Sequence, residues 1–337
     1  MNYIRYLRSL LYGFLFCLAI YLSVVFYQLG VPISENNSSI HRVYTFKSSL
    51  ISTFNQPKLL IIAGSNANAG ISCQMLQTST RVPCLNGGIH AGVGSDYLFN
   101  RARSWLNPGD MVLLPLEYNY YRENNVLSDR LVDHVMAHDP TYLRSVDLKT
   151  KIRFLAGISF NRLGQGVMAK LKQSSSSQAF AINGQEVNKN QYGDNTNQRE
   201  ADLTPELRQK IANLKPLPIN GYLKSSHGME SISKFIDWCN KHEIKVLATW
   251  PNTVWFEYYK QPQVKEFFQS IEDFYGNLGV PILGQPWSAM YDKSMFYDSI
   301  YHPHDRGKRQ RTKELIDLLQ PYLDDFCCSE HLLTNKS

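Results

Sequence analysis

The chain is 337 residues long, 43 % hydrophobic and 19 % charged, with a formal net charge of +6. This length and apolar content supply a core for one large domain or for a domain with a substantial insertion. Its basic residues are scattered and not interleaved with aromatics, which excludes a nucleic-acid footprint; its six cysteines lack zinc-site spacing with histidines, so neither metal nor cofactor is expected.

Residues 1–30 stand apart. Arg5 and Arg8 precede a nearly uncharged stretch from 9 to 30, long enough to cross a bilayer core. Basic residues on its N-terminal side, with none just after it, predict a single-pass anchor in the cytoplasmic membrane, N-terminus inside and the remainder extracytoplasmic. A cleavable signal peptide is the competing reading, but the apolar run is longer than an ordinary signal core and no small-x-small cleavage site follows it. Residues 31–55 are polar and read as a juxtamembrane linker. The folded domain is expected over 56–325, beginning near Gln56, with 326–337 as a tail.

Residues 59–63 form an unbroken apolar run that reads as a strand buried on both faces of a parallel sheet. It stops at Gly64 and Ser65, and an amphipathic helix is expected over 69–77. A serine on a tight turn between strand and helix is well seated as a nucleophile; it is also a common helix cap. A short strand at 82–85 then enters a glycine-rich turn in which Gly87 and Gly88 would offer backbone N–H groups, better suited to an oxyanion than to a phosphate. Cys73 and Cys84 form either a disulfide across a short loop or two buried thiols. A helix at 95–106 and a buried strand at 110–116 complete a strand-helix alternation that predicts a parallel sheet with helices on both faces.

That rhythm lapses from 117 to about 226. Helices are expected at 127–138 and 143–154, and the polar stretch 173–198 reads as loop. An insertion of this kind at the carboxyl end of a strand is where specificity is commonly built in open α/β sheets. Alternation resumes with a helix at 228–242, strands at 244–251 and 280–283, a helix at 263–278 and a final helix to 322. The loop before that last helix carries Asp298 and His302 four apart, with His304 as a rival base and Asp305 as the expected helix cap. A serine needs a base at neutral pH, and the base needs a carboxylate to set its tautomer. This loop supplies both.

These pieces together resemble the SGNH (GDSL-like) hydrolase superfamily: a Gly-Ser turn after the first strand, a glycine turn after the second and an Asp/His loop before the last helix. The resemblance covers about 56–116 and 227–322, and implies a three-layer α/β/α sandwich around a five-stranded, mostly parallel sheet of flavodoxin-like type. It implies Ser65 as nucleophile, His302 as base and Asp298 as its orienting partner, with Ser65 and Gly88 N–H groups as oxyanion donors. More narrowly, the chain looks like the bacterial branch that handles O-acylation of cell-envelope polymers, which includes alginate acetylation proteins and the D-alanyl transfer protein of teichoic acid modification. Two blocks depart from the superfamily pattern. Gly64-Ser65-Asn66 replaces Gly-Asp-Ser, and Leu116-Glu117-Tyr118-Asn119 replaces Gly-x-Asn-Asp, so the side-chain oxyanion donor is Asn119, Asn66 or neither.

The resemblance implies ping-pong acyl transfer to a glycan or cell-envelope polymer, or hydrolysis of its O-acyl groups. The acyl donor is an ester or thioester, and a multi-pass membrane acyltransferase is a fitting partner. The alternative is a catalytically silent scaffold that binds glycan through Tyr118, Tyr120, Tyr121, Trp250, Trp255 and Phe256.

Overall fold

The continuous apolar runs are strands of a central parallel sheet. A computed structural model describes residues 3–175 and 188–333. In chain order its strands are β1 (Leu59–Ile61), β2 (Cys84–Asn86), β3 (Met111–Leu114), β4 (Lys245–Thr249), β5 (Thr253–Val254), β6 (Ile282–Leu283), β7 (Met290–Tyr291), β8 (Phe296–Ser299) and β9 (His302–Pro303). Its helices are α1 (Tyr3–Tyr27), α2 (Glu35–Ile51), α3 (Ser65–Gly70), α4 (Cys73–Thr80), α5 (Ser95–Arg103), α6 (Asp129–His138), α7 (Tyr142–Ser145), α8 (Leu148–Ala156), α9 (Phe160–Ser175), α10 (Pro205–Ala212), α11 (His227–Lys241), α12 (Pro262–Asn277) and α13 (Asp305–Leu333).

The chain divides into two units, one of Val43–Asn125 with Val187–Ser337 and one of Met1–Arg42 with Val126–Glu186. The first holds the sheet, in the order β2-β1-β3-β4-β6 with every pairing parallel. Every residue of β1, β2 and β3 is buried. Because side chains alternate between faces, both faces are covered by helices. Among these, α13 packs on α3 and α4, and α11 packs on α5 and β4. The strand order reverses between β1 and β3, and in doubly wound sheets the crevice beyond the carboxyl ends of such strands is where ligands bind. At the opposite end, Lys58 and Asp110 form a buried ion pair at 2.5 Å, and Asp110 also accepts the N–H groups of Lys58 and Asn107. That pair aligns the starts of β1 and β3.

The second unit contains α1, 25 residues long and apolar enough to cross a membrane by length and composition, together with α6 to α9. The insertion is therefore not one body: Val126–Glu186 belongs with the N-terminal segment, whereas its start, up to Asn125, and its end, from Val187, belong with the sheet.

Several local expectations change. The linker at 31–55 is largely helical, as α2. Asn37, Ile40, Tyr44 and Lys47 are buried along it, a helical spacing masked by its polar composition. The helix expected at 69–77 is two helices. α3 begins at Ser65, and Ser72 caps α4 by accepting the Met75 N–H. Helices α9 and α10 were not expected. Of the predicted loop 173–198, residues 176–187 lie outside the described residues; the remainder is ordered, with the Asn86 N–H donating to Tyr192 O and Asp194 accepting from the N–H groups of Cys73 and Gln74. The last helix continues through the expected tail to Leu333 and starts at Asp305, which is its first residue and not its cap.

Cys73 and Cys84 are joined in a disulfide that ties the start of α4 to the start of β2. With a sequence separation of 11, the chain-entropy argument gives roughly 2–3 kcal/mol from constraining the unfolded state. Replacing both cysteines by serine is expected to lower the unfolding free energy by that amount, with a lower urea midpoint and an m-value equal or larger because the unfolded chain is less compact, measured by equilibrium unfolding of the full chain in detergent.

Candidate active site

The turn after β1 is held from beneath by a carboxylate. Glu117, three residues beyond β3, is completely buried and accepts the Gly64 N–H at 3.0 Å and the Asn66 N–H at 2.9 Å. Burial pushes its carboxyl above the ordinary glutamate range, opposed by these N–H donors, which favour the ionised form. The turn requires glycine at 64 because a Cβ there would stand 2.5 Å from Glu117 Oε1 and 2.7 Å from the Ala91 Cβ. Gly64 itself occupies the cap position of α3 without a side-chain bond. Ser65 is thus the first helical residue, partly exposed, and does not serve as the cap.

The second half of the site comes from the end of the chain. Asp298 on β8 and His302 on β9 face each other across an antiparallel turn, with Asp298 Oδ1 2.7 Å from His302 Nδ1. An ionised carboxylate only accepts, so Nδ1 carries the proton and Nε2 is left as the basic nitrogen. Burial alone would raise the Asp298 carboxyl, but the His302 hydrogen bond and charge, with Lys210 further off, outweigh it and hold it below the ordinary aspartate range. The stability this pairing contributes is present above the unfolded carboxyl range and is lost as pH falls through the lower folded value. Helix α10, which carries Lys210, packs on β8.

Helix α3, beginning at Ser65, lies against β9, beginning at His302. A chain of contacts fastens the two. At the end of α3, Gly70 abuts the Asn252 amide so closely that no Cβ would fit. Asn252 Nδ2 donates to Tyr301 O at 2.6 Å, the Tyr301 hydroxyl accepts the Tyr118 N–H at 3.2 Å, and Tyr118 follows Glu117. The turn bearing Ser65 and the strand bearing His302 are therefore connected on both sides through the polar groups of Tyr301, which is partly buried.

Other expected residues take different roles. His304 is fully buried; its Nε2 donates to Ser294 O at 2.7 Å and its Nδ1 accepts the Arg306 N–H at 3.2 Å, so both ring nitrogens are committed to backbone and it is no rival base. The Gly87 N–H donates to Ile61 O at 2.8 Å, continuing the sheet, and the Gly88 N–H donates to Asn86 Oδ1 at 3.0 Å. Gly88 is thus not an open oxyanion donor. Its lack of a side chain serves close packing, since a Cβ would stand 2.6 Å from the Asn68 N. Asn119 is exposed and heads a short 3₁₀ turn, whereas Asn66 is buried with Nδ2 on Pro115 O at 2.7 Å. Of the six aromatics considered for glycan binding, Tyr118, Tyr120, Tyr121 and Trp250 are core residues, and only Trp255 is well exposed.

Lys47 was not anticipated. It is fully buried, donates to Gly88 O and to Asn68 Oδ1, and burial drives its ammonium well below the ordinary lysine range. The signal was present in the spacing of Ile40, Tyr44 and Lys47, inside a segment whose composition suggested a linker. Among the described residues no cluster of His, Cys, Asp or Glu could hold a metal ion. No protein-family model matches the chain, and no curated protein sequence matches it either.

Two substitutions test the fastening. Glu117→Gln leaves one of the two buried N–H groups facing an amide, so a loss of about 1–3 kcal/mol is expected by urea unfolding. Gly70→Ala pushes Asn252 off Tyr301 and is expected to broaden or shift the His302 imidazole resonances in NMR spectra, while the distant Asn107 N–H to Asp110 contact retains its hydrogen-exchange protection.

Proposed function

We propose that this chain is a membrane-anchored, extracytoplasmic serine acyltransferase or esterase of SGNH type acting on O-acyl groups of cell-envelope polysaccharide. The observation that carries the proposal is the Asp298–His302 pair at 2.7 Å, which leaves His302 Nε2 as a base on the strand that α3 packs against. The strand order β2-β1-β3-β4-β6 and the position of Ser65 at the carboxyl end of β1, beside the reversal, agree with it. The anchor α1, the basic residues Arg5 and Arg8 before it, and a disulfide of the kind kept in oxidising compartments support the extracytoplasmic placement.

In this mechanism His302 Nε2 takes the Ser65 hydroxyl proton as Oγ attacks an ester or thioester carbonyl. The Ser65 N–H at the head of α3 stabilises the oxyanion, and the imidazolium returns the proton to the leaving alkoxide or thiolate. A sugar hydroxyl, or water, then gives its proton to His302 and attacks the acyl-serine, and the imidazolium returns that proton to Oγ as the acyl–Oγ bond breaks. Asp298 orients the ring throughout. The acyl donor is delivered from the membrane side, which suits a multi-pass acyltransferase as partner.

A second reading, a catalytically silent scaffold, is favoured by one observation: Gly87 and Gly88 have committed their N–H groups and Asn119 is exposed, so few donors remain for an oxyanion. Losing one such donor typically costs about 10²–10³ in rate, which on the enzymatic reading means a slow hydrolase toward activated esters. Full-length protein in detergent is expected to label with a fluorophosphonate probe and to hydrolyse p-nitrophenyl acetate. Labelling should vanish in Ser65→Ala, and turnover should fall roughly 10²–10⁴-fold in His302→Ala. Wild type that neither labels nor turns over ester favours the scaffold instead.

A further inference from the structure

We propose that α8 and α9 form a second membrane-contacting element, lying in the headgroup region of the bilayer that α1 crosses, with their exposed apolar face covered by lipid and with anionic lipid preferred. The inference rests on the reading of α1 as a membrane span and is independent of any catalytic role.

Position is the first argument. The Tyr21 hydroxyl donates to the Leu155 carbonyl of α8. Tyr21 is six residues before the end of α1 at Tyr27, about 9 Å along a helix axis, which matches the ~5–10 Å to which interfacial helices sink. At the end of the span Arg162 of α9 donates to Gln28 Oε1 at 2.6 Å and to Val31 O at 3.0 Å, and Gln28 donates to Leu163 O at 3.3 Å. Gly166 of α9 comes so close to the Gln28 amide that a Cβ would not fit. Both helices are thus held against the last turns of α1 within one compact unit.

Surface character is the second. Leu148 and Ile152 on α8 are 71 % and 59 % exposed, and Phe160 and Met168 on α9 are 88 % and 57 % exposed. Each pair is spaced by four or eight residues, so each lies along one helical face. Meanwhile Phe154, Arg162 and Leu163 point inward. Each helix therefore turns a pair of large apolar side chains to the outside, and apolar surface exposed in this way marks a contact surface. The bilayer is the occupant at hand, because α8 already reaches the depth of Tyr21 and α9 is fastened at the end of the span.

Charge is the third. From Thr141 to Ser175 the chain carries seven basic residues and one acidic residue, Asp147. Arg162 is paired with Asp133 at 2.7 Å, but Lys149, Lys151 and Lys170 lie on the same two helices as the apolar face. Long basic side chains flanking an apolar face can bury their stems and set their charges among lipid phosphates.

Full-length protein is reconstituted at one copy per nanodisc, in phosphatidylglycerol or in phosphatidylcholine, each doped with a phospholipid bearing a photoactivatable diazirine in its acyl chain. Labelled peptides are mapped by mass spectrometry. Label is expected on peptides covering 148–156 and 160–168 as well as on α1, at least threefold more in phosphatidylglycerol. In the double variant Ile152→Asp, Phe160→Asp label on both insertion helices should fall at least fivefold, with α1 labelled as before. Label confined to α1 overturns the proposal and leaves that face for a protein partner or a second copy. Label equal in the two lipids overturns the anionic preference. Label absent from α1 as well overturns the reading of α1 as a span, and this proposal with it.

Discussion

The site depends on one buried carboxylate. Glu117 is fully buried and holds the turn after β1 by accepting two successive-but-one backbone N–H groups, those of Gly64 and Asn66. A carboxylate in such a place is costly unless its oxygens are occupied by donors, and the first turn of a short helix provides donors that nothing else in the helix can use. The arrangement is mutual: the helix start satisfies the charge, and the charge orients the residue between, Ser65. Glycine at 64 follows from this, because any side chain there would occupy the carboxylate's place.

From Glu117 the constraint spreads through the backbone. Its neighbour Tyr118 donates its N–H to the Tyr301 hydroxyl, and Tyr301 is adjacent to His302. The proposed nucleophile and the proposed base are thereby referred to the same residue pair at the end of β3, even though one follows the first strand and the other nearly ends the chain. Buried polar networks of this kind are all-or-none in their energetics, since each member left unsatisfied costs what the bond had contributed and its desolvation besides. Lys47 and Asp194 extend the pattern. Lys47 supports the loop at Gly88, and Asp194 caps α4 through the Cys73 and Gln74 N–H groups while accepting the Ser72 hydroxyl.

Much of the scaffold was legible in the sequence, and the reason is local. A run such as Leu59 to Ala63 has only a parallel, doubly covered strand or a buried helix open to it, and Gly64 cuts it too short for a helix. Likewise the spacing of Asp298 and His302 nominates a pair, but their contact depends on β8 and β9 folding back on each other. The composition of residues 31–55 is that of a linker, whereas the spacing of Ile40, Tyr44 and Lys47 is that of one helical face, and only burial reveals that a lysine sits on the inner side. The glycine turn misled for a related reason. In sequence Gly87 and Gly88 offer N–H groups, yet the partners that occupy them, Ile61 O and Asn86 Oδ1, are defined by strand pairing and by a side-chain rotamer.

Sequence by itself determined the parallel α/β core, the apolar N-terminal helix and a short list of residues able to do acyl chemistry, because periodicity, run length and residue type act over a few neighbours. Tertiary structure alone decided which hydrogen-bonding groups are already spoken for. It removed His304 and Gly88 from the candidates, joined Cys73 to Cys84 and divided the insertion between two units. Those outcomes depend on how the backbone bends and where each rotamer points, even when the partner is as near in sequence as Asn86 is to Gly88 or Cys84 is to Cys73, and burial, which sets what each polar group must find, is a property of the whole fold.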